Sequence, residues 1–411
     1  MAEYWPRVVD SRLSRSLASL GGVLLDGSRA SGKSETALAH AGSAIRLDTS
    51  PQVRQMAQVM PERVLQGAVP RVVDEWQLAP ELWNVARAEI DRRQQSGQFI
   101  FTGSAAPADD VTRHSGAGRF GRLTLRPMSL QESRDSLNEV SFSGLFEGEK
   151  PSGFGGLTVP DYASLTVRGG WPALVTGKAS DPNVYLGAYL DSIARAELPA
   201  DLPKADPIRM QALLRAIARN TATEANQGKL AAEADLNPRT VRSYLDTLTR
   251  VFVLEEQPAW SPKLRSNVRK RVKPKWHFVD PSLAAQLLGC TADRLVNDLE
   301  TFGFLFESLC VRDLRVYASV LDGTVFHYRD ETGLEVDAIV QLRDGRWIAI
   351  EVKLGGERAI EQAARNLRVF AEKVDDIHRD QLCGLVILTA GEASYPRDDG
   401  TMVVSLGHLC A

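Results

Sequence analysis

A glycine-rich segment near the start of the sequence has the residue types and spacing of a phosphate-binding loop. The letters GSRASGKS at positions 27–34 fit G-x-x-x-x-G-K-S, between an apolar run (23–25) and the helix-forming stretch ETALAHA. Glycines let backbone N–H groups turn inward around a phosphate, and the N-terminus of the next helix adds partial positive charge. The sequence therefore predicts a nucleotide site formed by Gly27, Ser28, Arg29, Ala30, Ser31, Gly32, Lys33, Ser34 and Glu35.

An acidic pair further along the chain supplies what hydrolysis would require. Asp74 and Glu75 follow the strand-like residues 72–73 in VPRVVDEWQ. We expect Lys33 to contact the β- and γ-phosphates of ATP, and Mg²⁺ to be bound by Ser34 and, through water, by Asp74. Glu75 would orient and deprotonate the attacking water. This set of residues predicts ATP hydrolysis and not binding alone.

Polar residues near the next strand-like run extend the predicted site. GQFIFTGS ends in Thr102 and Ser104, which could contact the γ-phosphate or the attacking water. GAGRFGR then places Arg119 and Arg122 on a glycine-rich loop. Because an arginine fork matches phosphate oxygens, Arg119 is a candidate catalytic finger for a neighbouring subunit in a homo-oligomer. The alternative, a solvated loop charge, stays open for both arginines.

A second group of charged residues lies in the last third of the chain. In RWIAIEVKLG, Glu351 and Lys353 are two apart in a strand-like apolar run, so they project from the same face. Asp337 lies in the preceding strand-like run, LEVDAIVQL, and Glu307 lies on a helical stretch with an apolar face. Oxygen ligands of this kind bind Mg²⁺ or Mn²⁺ for phosphodiester cleavage, and a lysine can stabilise the charge that develops.

Strand register decides whether these carboxylates meet. A two-residue Asp-Gly turn in LRDGRW would place Asp337 opposite Val352, with the acids on different faces. A three-residue loop with Gly345 in the left-handed conformation would pair Leu342 with Arg346 and place Asp337 opposite Glu351. We adopt the second register. It predicts a site with Glu307, Asp337, Glu351 and Lys353 as catalytic residues and with Asp337 and Glu351 as metal ligands.

The order helix, hairpin, E-x-K strand and helix resembles the restriction-endonuclease-like PD-(D/E)xK fold. The resemblance implies a metal-dependent nuclease centre, to which Gln362 on the last helix would add a further contact. A buried network of ion pairs in an inactive domain is the alternative. The E-x-K pattern by itself is also compatible with an ordinary solvated strand face.

Between these two groups, residues 206–262 show the pattern of short helices. Asn237 can cap a helix that begins with Pro238, and residues 241, 244, 245 and 248 recur at helical spacing. Two helices followed by the strand-like VFVLEEQ predict a winged helix-turn-helix with Arg239 and Arg242 on its outward face. The acid-free segment SPKLRSNVRKRVKPKW follows, with Lys263, Arg265, Arg269, Lys270, Arg271, Lys273 and Lys275. These features predict DNA binding, with a protein-docking surface or a solvated loop as alternatives.

The order GSRASGKS, VVDEWQ, FTGS, AGR and LRPMSLQE resembles the AAA-type ATPases that bacteria and archaea carry fused to a C-terminal domain of unknown function. The later GGWP and WHFVDPSLAAQLLG also resemble that group. The resemblance implies an α/β multidomain protein with an αβα P-loop sandwich and a helical lid, before the winged helix-turn-helix and the restriction-endonuclease-like domain. The expected domains are residues 1–130 (ATPase), 131–205 (lid), 206–262 (winged helix) and 263–411 (nuclease-like).

Composition limits the remaining classes of protein. A chain of 411 residues with net charge -3 is not a polycation, so any nucleic-acid surface must be local. No signal peptide or membrane-spanning run is recognisable, which predicts a cytoplasmic protein. Without paired spacing or nearby histidines, the four cysteines are expected to be core thiols.

Together these features predict an ATPase whose nucleotide state controls a DNA-binding half. Mg²⁺-dependent DNA cleavage by that half is a further hypothesis. The alternative is a nucleotide-gated regulatory or antitoxin-like module, in which the nuclease-like domain is inactive and the winged helix docks a protein.

Overall fold

A computed structural model describes residues 4–103, 116–196, 206–263 and 272–411. The chain is a mixed α/β multidomain protein that divides into two compact units. The first comprises residues 1–127 with 250–252, and the second comprises residues 128–249 with 253–411. Among the helices described, none has the length and apolar character needed to cross a membrane.

The first unit is built on a parallel sheet of five strands in the order β2-β3-β4-β1-β5. The interior strand β1, between β4 and β5, has the sequence GVLLDG and is buried throughout, as is typical of a parallel strand covered on both faces. All the strands point the same way, so their carboxyl ends meet at one edge. The strands are β1 (Gly22–Gly27), β2 (Ser43–Arg46), β3 (Arg71–Asp74), β4 (Phe99–Gly103) and β5 (Phe120–Leu125).

Helices connect these strands and cover the sheet. They are α1 (Val9–Ser19), α2 (Lys33–Ala39), α3 (Pro51–Val59), α4 (Pro61–Val64) and α5 (Leu82–Arg93), with a 3₁₀ turn at Trp76–Leu78. An aromatic cluster forms part of the core between β4 and α5, where Trp83 packs against Phe101 and stacks on Phe120. This order agrees with the predicted αβα arrangement around the phosphate-binding loop.

The second unit contains a mixed sheet of seven strands in the order β10-β11-β12-β13-β15-β14-β7 and two two-stranded sheets, β6 with β16 and β8 with β9. In the large sheet, β12, β13 and β15 run parallel to one another. The strands are β6 (Val140–Ser141), β7 (Gly153–Phe154), β8 (Leu254–Gln257), β9 (Lys275–Phe278), β10 (Thr324–Arg329), β11 (Glu335–Gln341), β12 (Trp347–Lys353), β13 (Leu382–Thr389), β14 (Ala393–Pro396), β15 (Thr401–Ser405) and β16 (Leu409–Cys410).

The helices of the second unit include α15 (Leu299–Val320), on which every residue from 305 to 318 is buried. The helix after β12, α16, packs its Leu367 and Phe370 against Trp347 of the sheet. The helices are α6 (Phe142–Phe146), α7 (Val159–Arg168), α8 (Pro172–Val175), α9 (Pro182–Ala196), α10 (Pro207–Arg219), α11 (Gln227–Ala234), α12 (Pro238–Arg250), α13 (Pro281–Leu288), α14 (Ala292–Asn297), α15 (Leu299–Val320), α16 (Glu357–Lys373) and α17 (Asp376–Arg379), with a 3₁₀ turn at Leu406–His408.

The helix-turn-helix elements lie where the sequence places them. Asn237 caps α12, because its Oδ1 accepts the N–H of Thr240 at 2.9 Å. The four apolar positions of α12 are buried, while Arg239 and Arg242 are exposed. After α12, β8 pairs antiparallel with β9, and we call residues 254–257 with 275–278 the β8–β9 ribbon. The element order is the one expected of a winged helix-turn-helix, and that class stays a prediction.

The chain separates into two units, and this division does not test the boundaries of the four predicted domains, which stay predictions. The described part of the predicted lid, 131–196, lies in the second unit. There it pairs β6 with the C-terminal strand β16 and β7 with β14. The segment from 128 to 196 is therefore packed into the same unit as the C-terminal sheet.

A buried ion-pair cluster joins distant segments of the second unit. The guanidinium of Arg312 on α15 donates from Nη1 to Asp280 Oδ2 and from Nε to Asp313 Oδ1, both at 2.8 Å. Asp313 Oδ2 also accepts the N–H of Leu130 at 2.9 Å, and Asp280 Oδ2 accepts the N–H of Gly170 at 2.9 Å. We call Arg312, Asp280 and Asp313 the arginine cluster. It draws together three stretches of the second unit, MSLQE (128–132), GGWP and DPSL.

Packing around the arginine cluster explains the GGWP sequence. A Cβ on Gly170 would lie 2.1 Å from the carbonyl oxygen of Met128, so no larger residue fits there. Trp171 is fully buried and donates its indole N–H to Ser282 Oγ at 3.0 Å. These motifs therefore have a structural role within the second unit.

We predict that Arg312→Ala lowers the free energy of unfolding by about 3–5 kcal/mol, because it leaves two buried carboxylates without their cation. The matched control is Arg329→Ala, which breaks an exposed pair with Glu335 and should cost less than about 1 kcal/mol. Urea unfolding followed by circular dichroism measures both. Equal losses would contradict the role given to the arginine cluster.

Candidate functional site

The predicted nucleotide residues lie at the carboxyl edge of the parallel sheet. In the register of the sheet, Leu25 of β1 pairs with Thr102 of β4, and Val73 of β3 pairs with Phe101. The loop after β1 therefore lies beside the ends of β3 and β4. Ligands of open α/β sheets bind outside this edge.

The phosphate-binding loop has the backbone conformation that its glycines allow. Gly27 and Gly32 have φ of 139° and 95°, in the region that favours glycine. A Cβ on Gly27 would lie 2.0 Å from the carbonyl oxygen of Leu125, so the loop can begin here only with glycine. Lys33 Nζ donates to the carbonyl oxygens of Gly27 at 3.0 Å and Ser28 at 2.7 Å. Burial lowers the pKa of Lys33 to about 8, although nearby acids, led by Glu75, oppose this.

Two hydroxyl groups converge on the carboxylate of Asp74. Ser34 Oγ donates to Asp74 Oδ1 at 2.8 Å, and Thr102 donates to the same oxygen. Arg46, at the end of β2, lies with Nε 3.4 Å from Asp74 Oδ2. The buried hydroxyl of Ser28 has no hydrogen-bond partner among the described residues. The Ser34 hydroxyl beside the Asp74 carboxylate suits Mg²⁺. The Ser28 hydroxyl in the loop suits a phosphate group.

Glu75 is held next to these groups. Its backbone is left-handed, with φ of 55°, and its N–H donates to Thr102 Oγ1 at 3.3 Å. Its carboxylate accepts a hydrogen bond from Gln77. The structure thus brings together Lys33, Ser34, Asp74, Glu75 and Thr102. Ser104 lies outside the described residues.

Arg119 lies at the other edge of this sheet. It precedes Phe120, which pairs with Gly22 at the start of β1, whereas the phosphate-binding loop follows the end of β1. Its Nε lies 2.6 Å from Asp91 Oδ1 on α5. Arg119 therefore cannot serve the nucleotide site of its own unit, and its role as a finger in trans stays a prediction. Arg122 pairs with the buried Asp26 at 2.5 Å.

Two arginines that the sequence analysis did not single out lie near the loop. Arg7 Nη1 donates to the carbonyl oxygen of Ser31 at 2.8 Å, and its Nη2 donates to that of Arg126 at 2.7 Å. Arg46 is the cation beside Asp74. The sequence could have indicated Arg46, because it ends a strand and the carboxyl ends of parallel strands share an edge.

The second group of predicted residues also meets, in the register expected. Ala338 pairs with Ile350 and Gln341 with Trp347, which sets Asp337 opposite Glu351. The N–H of Leu342 donates to the carbonyl oxygen of Arg346 at 2.8 Å, and Gly345 has φ of 99°. The three-residue loop is therefore confirmed.

A β-bulge lies at Asp337. Phe326 pairs with Ile339 while Tyr328 pairs with Val336, so His327 alone faces both Asp337 and Ala338. A bulge redirects the side chains of the bulged strand. Here Asp337 Oδ2 accepts the N–H of Val352 at 2.8 Å.

Lysines face all three carboxylates of this group. Lys353 Nζ lies 2.7 Å from Glu351 Oε2 and 3.5 Å from Asp337 Oδ2. Lys275 Nζ lies 2.7 Å from Glu307 Oε1 and 3.8 Å from Asp337 Oδ1. We call these five residues the carboxylate–lysine cluster. Gln362 is exposed and donates to Asn366 at 2.8 Å.

The prediction that Lys275 belongs to an exposed basic surface is wrong. Only 6% of Lys275 is exposed, because it begins β9 and its ammonium turns towards Glu307. Lys263 and Lys273 are exposed, as expected, while Arg265, Arg269, Lys270 and Arg271 lie outside the described residues. The available signal was a lysine at the start of the strand-like run KWHFV.

Burial and charge set the ionisation of the carboxylate–lysine cluster. Burial raises the pKa of Glu307 to about 7. Burial and the neighbouring Asp337 raise the pKa of Glu351 to about 8. Burial alone would raise the pKa of Asp337, but Lys275 and Lys353 outweigh it and lower that pKa.

The cluster does not fit a metal ion as it is arranged. Within the residues described, no group of three or more His, Cys, Asp or Glu side chains is placed to hold one. The cations that balance the carboxylates are the two lysines. The expectation that Asp337 and Glu351 bind a metal therefore stays a prediction.

Comparison with known families agrees with the N-terminal site. Residues 21–133 match the model of an AAA domain, which indicates nucleotide binding and ATPase-type activity. Residues 159–294 match a domain of unknown function (DUF8612), and residues 302–409 match another (DUF4143). The first match supports the ATPase part of the predicted resemblance. The PD-(D/E)xK fold is not shown.

Two similar proteins align with almost the whole chain. They are the uncharacterized protein Rv2008c of Mycobacterium tuberculosis and the uncharacterized protein Mb2031c of Mycobacterium bovis. Each is 26% identical over 408 residues, covering 96% of this chain and 82% of its own length. The similarity spans the ATPase part and the C-terminal part together.

The raised pKa of Glu351 predicts a pH-dependent stability. The pKa of Glu351 is 4.5 in the unfolded state and about 8 in the folded state, so between these pH values the folded state keeps a proton that the unfolded state loses. The stabilisation from this proton is fully present below pH 4.5 and is lost as pH rises through 8. Wild type should lose up to about 1.4 kcal/mol per pH unit relative to Glu351→Gln. Unfolding midpoints at pH 6 and 8.5 measure this, with the partly exposed Glu335→Gln as control. If the stability of wild type and that of Glu351→Gln changed equally with pH, the raised pKa of Glu351 would be contradicted.

Proposed function

We propose that the first unit binds and hydrolyses ATP. The observation that carries this proposal is the contact of Ser34 with Asp74 at 2.8 Å beside Lys33. Lys33 and Ser34 begin α2 after the loop that follows β1, whereas Asp74 ends β3. Their meeting at the carboxyl edge is what a site for Mg²⁺ and a nucleoside triphosphate requires. The match of this region to an AAA domain supports the proposal.

Each residue has a role that follows from its present contacts. Lys33 would exchange its bonds to the carbonyl oxygens of Gly27 and Ser28 for phosphate oxygens. Ser34 and Asp74 would hold Mg²⁺, which when bound neutralises charge on the phosphates. Glu75 would accept a proton from water, and Thr102, which donates to Asp74, would fix the orientation of that carboxylate.

We predict that Glu75→Gln retains ATP binding and lowers the hydrolysis rate by about 10²–10⁴-fold, since it removes a general base. Lys33→Ala should lose binding as well. Phosphate release and binding of a fluorescent ATP analogue separate the two effects. The exposed Glu62→Gln on α4 is the control and should match wild type. Unchanged hydrolysis in Glu75→Gln would reject the role of Glu75.

A second candidate function concerns the second unit. The register that sets Asp337 opposite Glu351, with Lys353 between them, favours phosphodiester chemistry at the carboxylate–lysine cluster. The exposed Arg239 and Arg242 on α12 offer a surface for the DNA backbone. The proposal is that nucleotide state in the first unit controls DNA binding, and DNA cleavage, in the second. The alternative is a regulatory ATPase in which the cluster is an ion-pair network.

We predict that wild type cleaves plasmid, duplex or single-stranded DNA with Mg²⁺ or Mn²⁺ and ATP, and that Glu351→Ala does not. Glu335→Ala, on the adjacent strand and partly exposed, is the control and should cleave as wild type. Lys33→Ala tests whether ATP is required. If wild type hydrolyses ATP but cleaves no DNA under any of these conditions, the regulatory alternative replaces the cleavage proposal.

A further inference from the structure

Lys275 lies in a different matched segment of the chain from the other members of the carboxylate–lysine cluster. Glu307, Asp337, Glu351 and Lys353 all lie within residues 302–409, which match one family model, on α15, β11 and β12. Lys275 lies on β9, within residues 159–294, which match another. The cluster therefore takes one of its two cations from a neighbouring segment of the chain.

The position of the Lys275 ammonium is one that would suit a bound cation. It contacts Glu307 Oε1 at 2.7 Å and faces Asp337 Oδ1 at 3.8 Å, so it bridges carboxylates of a helix and a strand. The other oxygen of Asp337 is taken by the N–H of Val352 and faces Lys353. A divalent cation binds carboxylate oxygens at about 2.0–2.6 Å and would have to displace the ammonium.

The β8–β9 ribbon holds Lys275 in this place. Gln257 Nε2 donates to the carbonyl oxygens of Phe326 at 3.0 Å and Asp337 at 2.9 Å, on the two strands that meet at the bulge. The imidazole of His277 is hydrogen-bonded to Ser308 at 3.0 Å and to Gln257 at 2.9 Å. These buried bonds fix β9 against α15 and β11. The ammonium is thus placed by the ribbon's backbone and not only by a flexible side chain.

We propose that Lys275 is an autoinhibitory contact: its ammonium lies between Glu307 and Asp337 and keeps divalent cations out of the carboxylate–lysine cluster. The carboxylates of Glu307 and Asp337 become available to a cation only when Lys275 leaves. This proposal extends the cleavage proposal by naming the regulation of the same cluster. Its test uses metal binding without DNA or ATP, so that its failure is distinguishable from an absence of cleavage.

The experiment measures Mn²⁺ binding to the nucleotide-free full chain by electron paramagnetic resonance. Removing a unit charge that bridges two ligands is expected to tighten Mn²⁺ binding in Lys275→Met on the order of a hundredfold over wild type. Lys273→Met is the matched control, because this exposed side chain comes from the same segment and its carbonyl oxygen, which His327 contacts at 3.0 Å, is retained. It should bind Mn²⁺ as wild type does.

A second substitution assigns the binding to the cluster. Asp337→Asn added to Lys275→Met should return Mn²⁺ binding to the wild-type level. Because Lys275→Met leaves Glu307 buried without its partner, Lys275→Met with Glu307→Gln is tested in parallel. This pair removes the lone charge and should still bind Mn²⁺ at least about tenfold more tightly than wild type.

Three results would overturn the proposal. The first is that folded Lys275→Met and the Glu307→Gln pair both bind Mn²⁺ no better than wild type. The second is binding that survives Asp337→Asn, since the ion would then lie elsewhere. The third is tight binding in wild type that Asp337→Asn abolishes, since the cluster would then accept the ion with Lys275 in place. Thermal unfolding of each variant establishes that the proteins compared are folded.

Discussion

The buried guanidinium of Arg312 is the interaction on which the second unit depends most. It lies between two carboxylates that also accept backbone N–H groups from Leu130 and Gly170, so it fixes segments far apart in the sequence. A charge buried in this way is costly unless its partners and their remaining hydrogen bonds are all present. The arrangement therefore allows these segments only one relative position. It also fixes α15, five residues from Glu307.

Partners on the β8–β9 ribbon explain why α15 can carry further polar groups while buried. A helix that is buried on all sides is normally apolar throughout. Here Glu307 meets Lys275, Ser308 meets His277, and Arg315 donates to Glu255 and to the carbonyl oxygen of Glu256. Each of these three side chains has a partner on the β8–β9 ribbon. Three side chains along one face of α15 therefore contact the ribbon.

The parts of the site that the sequence predicted are those set by local geometry. The phosphate-binding loop needs only its glycines and the elements on either side. The sequence from Leu342 to Arg346 allows two turns, and the structure has the three-residue turn, the one that brings Asp337 and Glu351 together. The roles of Lys275, Arg119 and Arg46 depended on tertiary structure. The run KWHFV indicates that Lys275 begins a strand, but only the contact with Glu307 shows that its ammonium turns inward. The pairing of Phe120 with Gly22 places Arg119 at the edge opposite the nucleotide site. The bulge at Asp337 is likewise a property of two paired strands.

The two candidate sites hold their lysines in physically different ways. Lys33 rests on two neutral carbonyl oxygens, and its burial lowers its pKa, so an incoming phosphate offers a better partner than those it has. Lys275 rests on carboxylates, which raise its pKa despite burial, so an incoming cation must replace a full charge. The first site is therefore poised to accept its ligand directly. The second is closed unless the ribbon that carries the lysine changes position, and a site of that kind responds to what binds elsewhere in the unit.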